Sequence, residues 1–366
     1  MGTIITTTLT LTGLSAVFAL LLTIADRTVG DYGEVTLTIN DDKQFTIDGG
    51  DSLLSSLMEQ EIFIPSACGG KGTCGYCKVQ IDEGGGPVLQ TEKGLLTEED
   101  IENNIRLSCQ CKVKEDMKIH IPEELFNITE FEAEVESIVD LTSVIKQVRL
   151  KVPEGEELNF KAGQYMQLKA PLYDGNPEEV YRAYSISSSP EDKQHIELII
   201  GYVPEGIATT YVHQHLEIGD HVTINGPYGD FYYQDNEREM ILVAVGTGVA
   251  PILSILKMME SNDIKRKAKF YFGAKTEEDL FFLDYFAGLE EKLYDFEFVP
   301  CLSRVTEEDG WAGFCGRVNN AIDEFVEENI EQEAYLCGSD RMIESVVEAL
   351  KKKGVEEDLI YYDKFD

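Results

Sequence analysis

Apolar and polar residues change rhythm along this chain, and each rhythm predicts a different kind of element. Residues 3–25 carry no charge and end in the apolar run Leu14 to Ile24. A helix of that length spans roughly 35 Å, enough for a hydrocarbon core of about 30 Å. Residues 1–26 are therefore expected to form a transmembrane anchor. A cleaved signal peptide would want a basic start and a small-residue cleavage site, and neither is clear. After a polar linker, Glu34 to Ile39 alternates at the strand period, and Gln44 to Ile47 follows an Asn-Asp-Asp turn, which predicts a hairpin. Ser52 to Glu61 has helical spacing with Leu53, Leu54, Leu57 and Met58 on one face. Met117 to Pro122 is an extended run that closes a domain over 34–124. Strand-like segments at Glu132 to Val139, Ile145 to Val152 and Tyr165 to Lys169 predict an antiparallel barrel over 126–236.

From 237 to 366 the rhythm changes again. Glu239 to Val245 is a continuous apolar strand, Gly246 to Pro251 a turn, and Ile252 to Met259 a helix. Lys269 to Gly273, Phe296 to Cys301 and Ala334 to Cys337 read as further strands separated by helical stretches. That alternation predicts a doubly wound, mostly parallel sheet. The expected fold class is thus multidomain, α+β followed by α/β.

Cysteine spacing adds chemistry. Cys68, Cys74 and Cys77 read C-x5-C-x2-C, and a fourth cysteine follows in Leu107-Ser108-Cys109-Gln110. This is close to plant-type [2Fe–2S] spacing with one extra residue in the first gap. Glycines at 69, 70 and 72 let the loop fold back and bring backbone N–H groups to the sulfurs. Cys111 is a rival for the fourth position. Thiolate ligands point to a reducing compartment rather than to disulfides.

Three further motifs suggest what feeds such a centre. Arg182-Ala183-Tyr184-Ser185 follows an extended segment, with Ala162-Gly163-Gln164-Tyr165 upstream. Downstream, Gly206-Ile207-Ala208-Thr209-Thr210 fits a phosphate turn opening a helix. Helix N–H groups, a threonine hydroxyl and an arginine together hold a pyrophosphate. Tyr184 would offer a flat face to a flavin ring, and Ser185 a hydroxyl near its reactive N5. Gly246-Thr247-Gly248 sits at a strand-to-helix turn, where small residues admit a dinucleotide. Cys337-Gly338-Ser339-Asp340 ends a later strand, where ligands bind in such sheets. Taken alone, Cys337 reads as a buried apolar cysteine, which is frequent. The terminal Tyr361-Tyr362-Asp363-Lys364-Phe365-Asp366 offers aromatics to stack on a flat cofactor or to form a last strand. The acidic stretch Ala274 to Asp279 favours NADH over NADPH, because carboxylates bond a ribose 2′-OH and repel a 2′-phosphate.

The order of these motifs resembles the ferredoxin-NADP reductase superfamily with an N-terminal [2Fe–2S] domain. Within it the chain most resembles the F subunits of Na⁺-translocating NADH:quinone oxidoreductases, on Cys68 to Gly75, Arg182 to Ser185, Phe272 to Lys275 and Gly310 to Gly313. The resemblance implies a β-grasp ferredoxin domain, an FAD barrel and an NADH domain. It places the fourth ligand at Cys109, and FAD at Arg182, Tyr184, Ser185 and Thr209. It places NADH at Gly246, Gly248 and Cys337, and Phe365 over the flavin. The implied setting is the plasma membrane with cytoplasmic catalytic domains and membrane partner subunits. A soluble reductase of di-iron monooxygenases has the same three parts, and an iron–sulfur sensor is a third reading that the nucleotide motifs oppose. The domain order describes a converter from hydride to single electrons: NADH, FAD, cluster, acceptor. With 68 acidic against 31 basic residues, the net charge of −37 argues against nucleic-acid binding. It suits a basic protein partner, a saline cytoplasm or a well-solvated surface.

Overall fold

The computed structural model describes residues 11–18, 32–66, 68–176, 178–305, 310–328 and 331–364. The expected anchor is described only over 11–18, a short helix, α1. The rest of that span and Phe365 lie outside the described residues. Among the described residues, no helix is long and apolar enough to cross a membrane. The chain divides into two compact units, Met1–Ile128 and Thr129–Asp366.

The first unit contains β1 (Glu34–Ile39), β2 (Lys43–Asp48), α2 (Leu53–Glu59), β3 (Lys78–Glu83), α3 (Glu98–Glu102), β4 (Ile105–Leu107) and β5 (Met117–His120). Its sheet runs β2-β1-β5-β3-β4, with β1 and β5 parallel and the other neighbours antiparallel. The hairpin turns where expected: three residues separate the paired Ile39 and Lys43, and Asn40 and Asp41 among them both have positive φ, which Asn and Asp tolerate. Ser52 caps α2 by accepting from Ser55 N at 3.1 Å, so the helix starts one residue later than the periodicity suggests. Leu53, Leu54 and Leu57 bury the helix face against Leu37, Ile39, Val79 and Ile119 of the sheet.

The second unit opens with β6 (Thr129–Asp140), β7 (Ile145–Lys151), β8 (Tyr165–Ala170), β9 (Val180–Ser185), β10 (His195–Gly201), α4 (Ile207–Gln214) and β11 (His221–Tyr228). The sheet order is β10-β7-β6-β11-β8-β9, antiparallel throughout. A bridge between Ile186 and Leu198 joins its two ends and closes a barrel. Alternate residues fill the interior, among them Val135, Val148, Leu150, Met166, Leu168, Leu198 and Ile224.

There follow β12 (Glu239–Val245), α5 (Val249–Ser261), β13 (Ala268–Ala274), α6 (Leu283–Leu289), β14 (Phe296–Leu302), β15 (Phe314–Cys315), α7 (Val318–Phe325), β16 (Gln332–Gly338), α8 (Asp340–Lys352) and β17 (Ile360–Lys364). All six strands are parallel, in the order β15-β14-β13-β12-β16-β17. Leu242, Phe270 and Phe272 face α5 and α6, whereas Ile241, Val243 and Tyr271 face α7 and α8. Both faces are covered, which is why β12 reads as an unbroken apolar run. The expected turn to Pro251 is shorter: α5 begins at Val249. Proline in a first helical turn loses no hydrogen bond, so it does not delay the helix. Ser254 Oγ of α5 donates to Ser188 O at 2.7 Å, and Lys257 pairs with Glu197 of β10, tying this sheet to the barrel.

Candidate functional site

The cysteine loop belongs to the first unit. Cys74 Sγ lies 3.4 Å from Cys68 Sγ, and Cys77 Sγ 3.2 Å from Cys109 Sγ. A Cβ on Gly70, in the loop between Cys68 and Cys74, would stand 4.0 Å from Cys109 Cβ, so the two pairs adjoin. Among the described residues no three ligating side chains surround one point. Two adjoining pairs are what a two-iron cluster needs, and the thiol set fits it. The Cys74 thiol donates to Cys68, which holds Cys68 well below the usual thiol range and pushes Cys74 above it. Gly69, Gly70, Gly72 and Gly75 all have positive φ, so the loop takes turns that other residues resist. Cys111 faces the other way, into the apolar core at 2 % exposure, and burial pushes its thiol up to about 12.

A buried ion pair holds β4, the strand just before the fourth cysteine. Arg106 Nε donates to Glu92 Oε1 at 2.9 Å, and Leu107 N to the same oxygen at 3.1 Å. Arg106 also donates to the carbonyls of Gly85, Gly86 and Pro87. One guanidinium thus pins the whole loop before Glu92 onto β4. Next to Cys109, Gln110 Nε2 stands 3.6 Å from the Cys109 sulfur. Sequence reasoning singles out neither the pair nor Gln110. The signal for Gln110 is a polar residue directly beside a candidate ligand.

Arg182, Ala183, Tyr184 and Ser185 end β9. Ser185 Oγ is buried with no hydrogen-bond partner among the described residues. The Arg182 guanidinium donates to Tyr181 O, and no carboxylate pairs with it among the described residues. Burial raises the Tyr184 phenol well above its ordinary range, so its ring is neutral. Gly206 precedes α4, and Thr209 Oγ1 takes Val203 N at 3.2 Å, folding the turn tightly. A Cβ at Gly206 would come within 2.7 Å of that hydroxyl. The N–H groups of Ile207, Ala208 and Thr209 have no partner within the helix. An orphaned hydroxyl, a cation without an anion and an open helix N-terminus fit a flavin dinucleotide.

In the parallel sheet, chain order reverses between β12 and β16, and the crevice above their ends is where dinucleotides bind. Gly246, Thr247 and Gly248 leave β12 there, and Cys337 and Gly338 end β16 beside them. A Cβ on Gly248 would stand 2.3 Å from Cys337 O, so only glycine lets the turn lie on β16. Gly201 of the barrel also approaches the turn: a Cβ there would stand 3.2 Å from Thr247 Cγ2. Cys337 is fully buried, and burial raises its thiol far above the usual range. Asp363 of β17 lies opposite Cys337 in register, and burial pushes its carboxyl up to about 6. The terminal aromatics divide: Tyr361 stacks on Tyr335, while Tyr362 is 51 % exposed.

Paired thiols, a flavin-type barrel and a dinucleotide crevice in one chain define an iron–sulfur flavoprotein reductase. Residues 37–114 match the 2Fe-2S iron-sulfur cluster binding domain family, 132–233 the Oxidoreductase FAD-binding domain family and 242–348 the Oxidoreductase NAD-binding domain family. Its cofactors are accordingly a [2Fe–2S] cluster, FAD and NADH. The chain is 35 % identical to the F subunit of the Na(+)-translocating NADH-quinone reductase of Neisseria meningitidis serogroup C, over 95 % of this chain and 96 % of that one. It is 35 % identical to the F subunit of the same enzyme from Serratia proteamaculans over 97 % of both. The chain belongs to this family of F subunits. Among solved structures it resembles the Amycolatopsis cytochrome P450 reductase GcoB (27 % identity, TM-score 0.73, covering 90 % of this chain and 98 % of that one). It also resembles the ferredoxin reductase in carbazole 1,9a-dioxygenase (26 % identity, TM-score 0.70, covering 91 % and 98 %).

Proposed function

We propose that this chain is the NADH-oxidising subunit of a membrane-bound quinone reductase coupled to Na⁺ transport, delivering single electrons to partner subunits. The observation that carries this reading is full-length membership of the F-type reductase family together with two adjoining thiol pairs. Residues 1–26 form the anchor in the plasma membrane, 34–124 hold the cluster, 126–236 hold FAD and 237–366 hold NADH, all on the cytoplasmic side.

FAD, when bound, converts the hydride of NADH into the single electrons that a [2Fe–2S] cluster accepts. The chain's own residues bind and orient. Cys68, Cys74, Cys77 and Cys109 hold the cluster. Arg182 and the N-terminus of α4, with Gly206, Thr209 and Thr210, hold the pyrophosphate. Ala183, Tyr184 and Ser185 would line the flavin site, Tyr184 offering a neutral ring face and Ser185 its unpartnered hydroxyl. Gly246, Thr247, Gly248 and Gly338 admit NADH to the crevice. Cys337 stays a neutral thiol at its floor, and Phe365 would cover the flavin.

Purified full-length chain should lose its visible absorbance when NADH is added and develop the EPR signal of a reduced [2Fe–2S] cluster. Absence of either change would overturn the reading. Affinity purification from detergent-solubilised native membranes should recover integral membrane subunits. Recovery of full-length chain in the high-speed supernatant, together with a soluble oxygenase, would replace the membrane acceptor by that enzyme.

A further inference from the structure

We propose that Gln110 raises the reduction potential of the cluster by donating a hydrogen bond to the Cys109 sulfur, held in place by Thr91 and Gly72. The inference rests on the cluster-ligand reading of Cys68, Cys74, Cys77 and Cys109. Gln110 Nε2 lies 3.6 Å from Cys109 Sγ, and Thr91 Oγ1 lies 3.0 Å from Gln110 Oε1. A metal-bound thiolate has no proton to give, so the amide must present its nitrogen to it and its oxygen to the threonine hydroxyl. Gly72 makes room: a Cβ there would stand 2.5 Å from Gln110 Nε2 and 2.7 Å from its Cδ.

Thr91 is itself fixed. Its neighbour Glu92 bonds Arg106, Leu107 N and Leu89 N, so the loop carrying the threonine cannot drift. The amide is thus clamped between a bare α-carbon and an anchored hydroxyl. Reduction adds one electron to a unit that is already anionic, and donors to a ligand sulfur stabilise the added charge. Hydrogen bonds to charged acceptors are roughly twice as strong as neutral ones. Gln110 acts through Cys109 and touches no substrate, so it is a positioning residue.

The test is an EPR-monitored redox titration of the full-length holoprotein. Gln110→Leu should make the cluster about tenfold harder to reduce, equivalent to a downward shift of about 59 mV for one electron. Gln110→Glu should lower the potential further, since it removes the donor and adds an anion. Thr91→Val should shift it in the same direction by less, and Thr91→Ser should restore it. An unchanged potential in Gln110→Leu with full cluster content overturns the inference and leaves the cluster reading intact. If that variant loses its cluster, an unchanged potential in Thr91→Val overturns the inference instead. No [2Fe–2S] signal in the unmodified chain overturns both.

Discussion

Two positions separate Cys109 from Cys111, and their thiols meet opposite surroundings. The Cys109 sulfur faces Cys77 and Gln110, while Cys111 packs among Leu53, Leu57 and Val113. Cys109→Ala should therefore abolish the reduced-state EPR signal while FAD stays bound. Cys111→Ala should keep the signal and cost about 1 kcal/mol of stability through lost packing. Loss of the signal in the second variant and its survival in the first would reverse the assignment. Glu92 carries the other prediction at this scale. Its burial alone would raise the carboxyl pKa, but the hydrogen bonds from Arg106 and from the N–H groups of Leu89 and Leu107 outweigh burial and lower it. A carboxyl lowered on folding contributes stability above its unfolded pKa and loses it as pH falls through the folded one. Glu92→Gln leaves a buried guanidinium unpaired, which should cost about 3–5 kcal/mol at neutral pH. The gap in Tm between variant and parent should narrow as pH drops into the carboxylate range. A gap that stays constant with pH would mean the carboxylate's charge contributes nothing.

At the scale of elements, what can be read in advance is whatever local spacing dictates. The hairpin over Glu34 to Ile47, the unbroken run of β12 and the βαβ alternation all follow from periodicity and turn residues within a short window. The Glu92–Arg106 pair and the Thr91–Gln110 contact do not show, because they join residues far apart in sequence through a loop without periodicity. Charged residues in such a loop read as solvated until the fold buries them. The start of α5 escapes for another reason: Pro251 reads as a helix breaker, yet the first turn tolerates it. That start carries a prediction. Gly248→Ala places a methyl against the Cys337 carbonyl, so KM for NADH should rise at least about tenfold while flavin content stays unchanged. An unaltered KM would mean that the turn does not meet the nucleotide. After β13, Asp279 is engaged locally, accepting from Thr276 N at 3.1 Å, while Glu277 and Glu278 remain exposed. Arg304 N donates to Lys275 O, which brings a second cation to that edge. NADH should still be preferred by kcat/KM for ferricyanide reduction, and converting Glu277 and Glu278 together to Gln should narrow the preference. A preference for NADPH in the parent, or an unchanged ratio in the variant, would show that these carboxylates do not meet the ribose.

At the scale of the whole molecule, charge is the property that no single element explains. A net −37 from 68 acidic and 31 basic residues surrounds the chain with a field that selects among acceptors by sign. Many of the cations are already neutralised by neighbours: Lys78 by Asp100, Lys118 by Glu83, Arg149 by Glu136 and Glu197, and Lys292 by Glu260. Paired cations offer little to an approaching anion, so the excess carboxylates set the long-range potential. Its reach is about 30 Å at 0.01 M salt and about 10 Å at 0.1 M. Two small one-electron acceptors of opposite charge read that field without docking. With NADH saturating, the second-order rate for hexaammineruthenium(III), a cation, should fall as salt rises from 0.01 to about 0.2 M, because screening removes an attraction. The rate for ferricyanide, an anion, should rise over the same range, because screening removes a repulsion. Parallel changes for both would locate the effect in the protein itself rather than in its field. Opposed slopes would mean that the acidity steers electron delivery, which favours a physiological acceptor with a basic docking face.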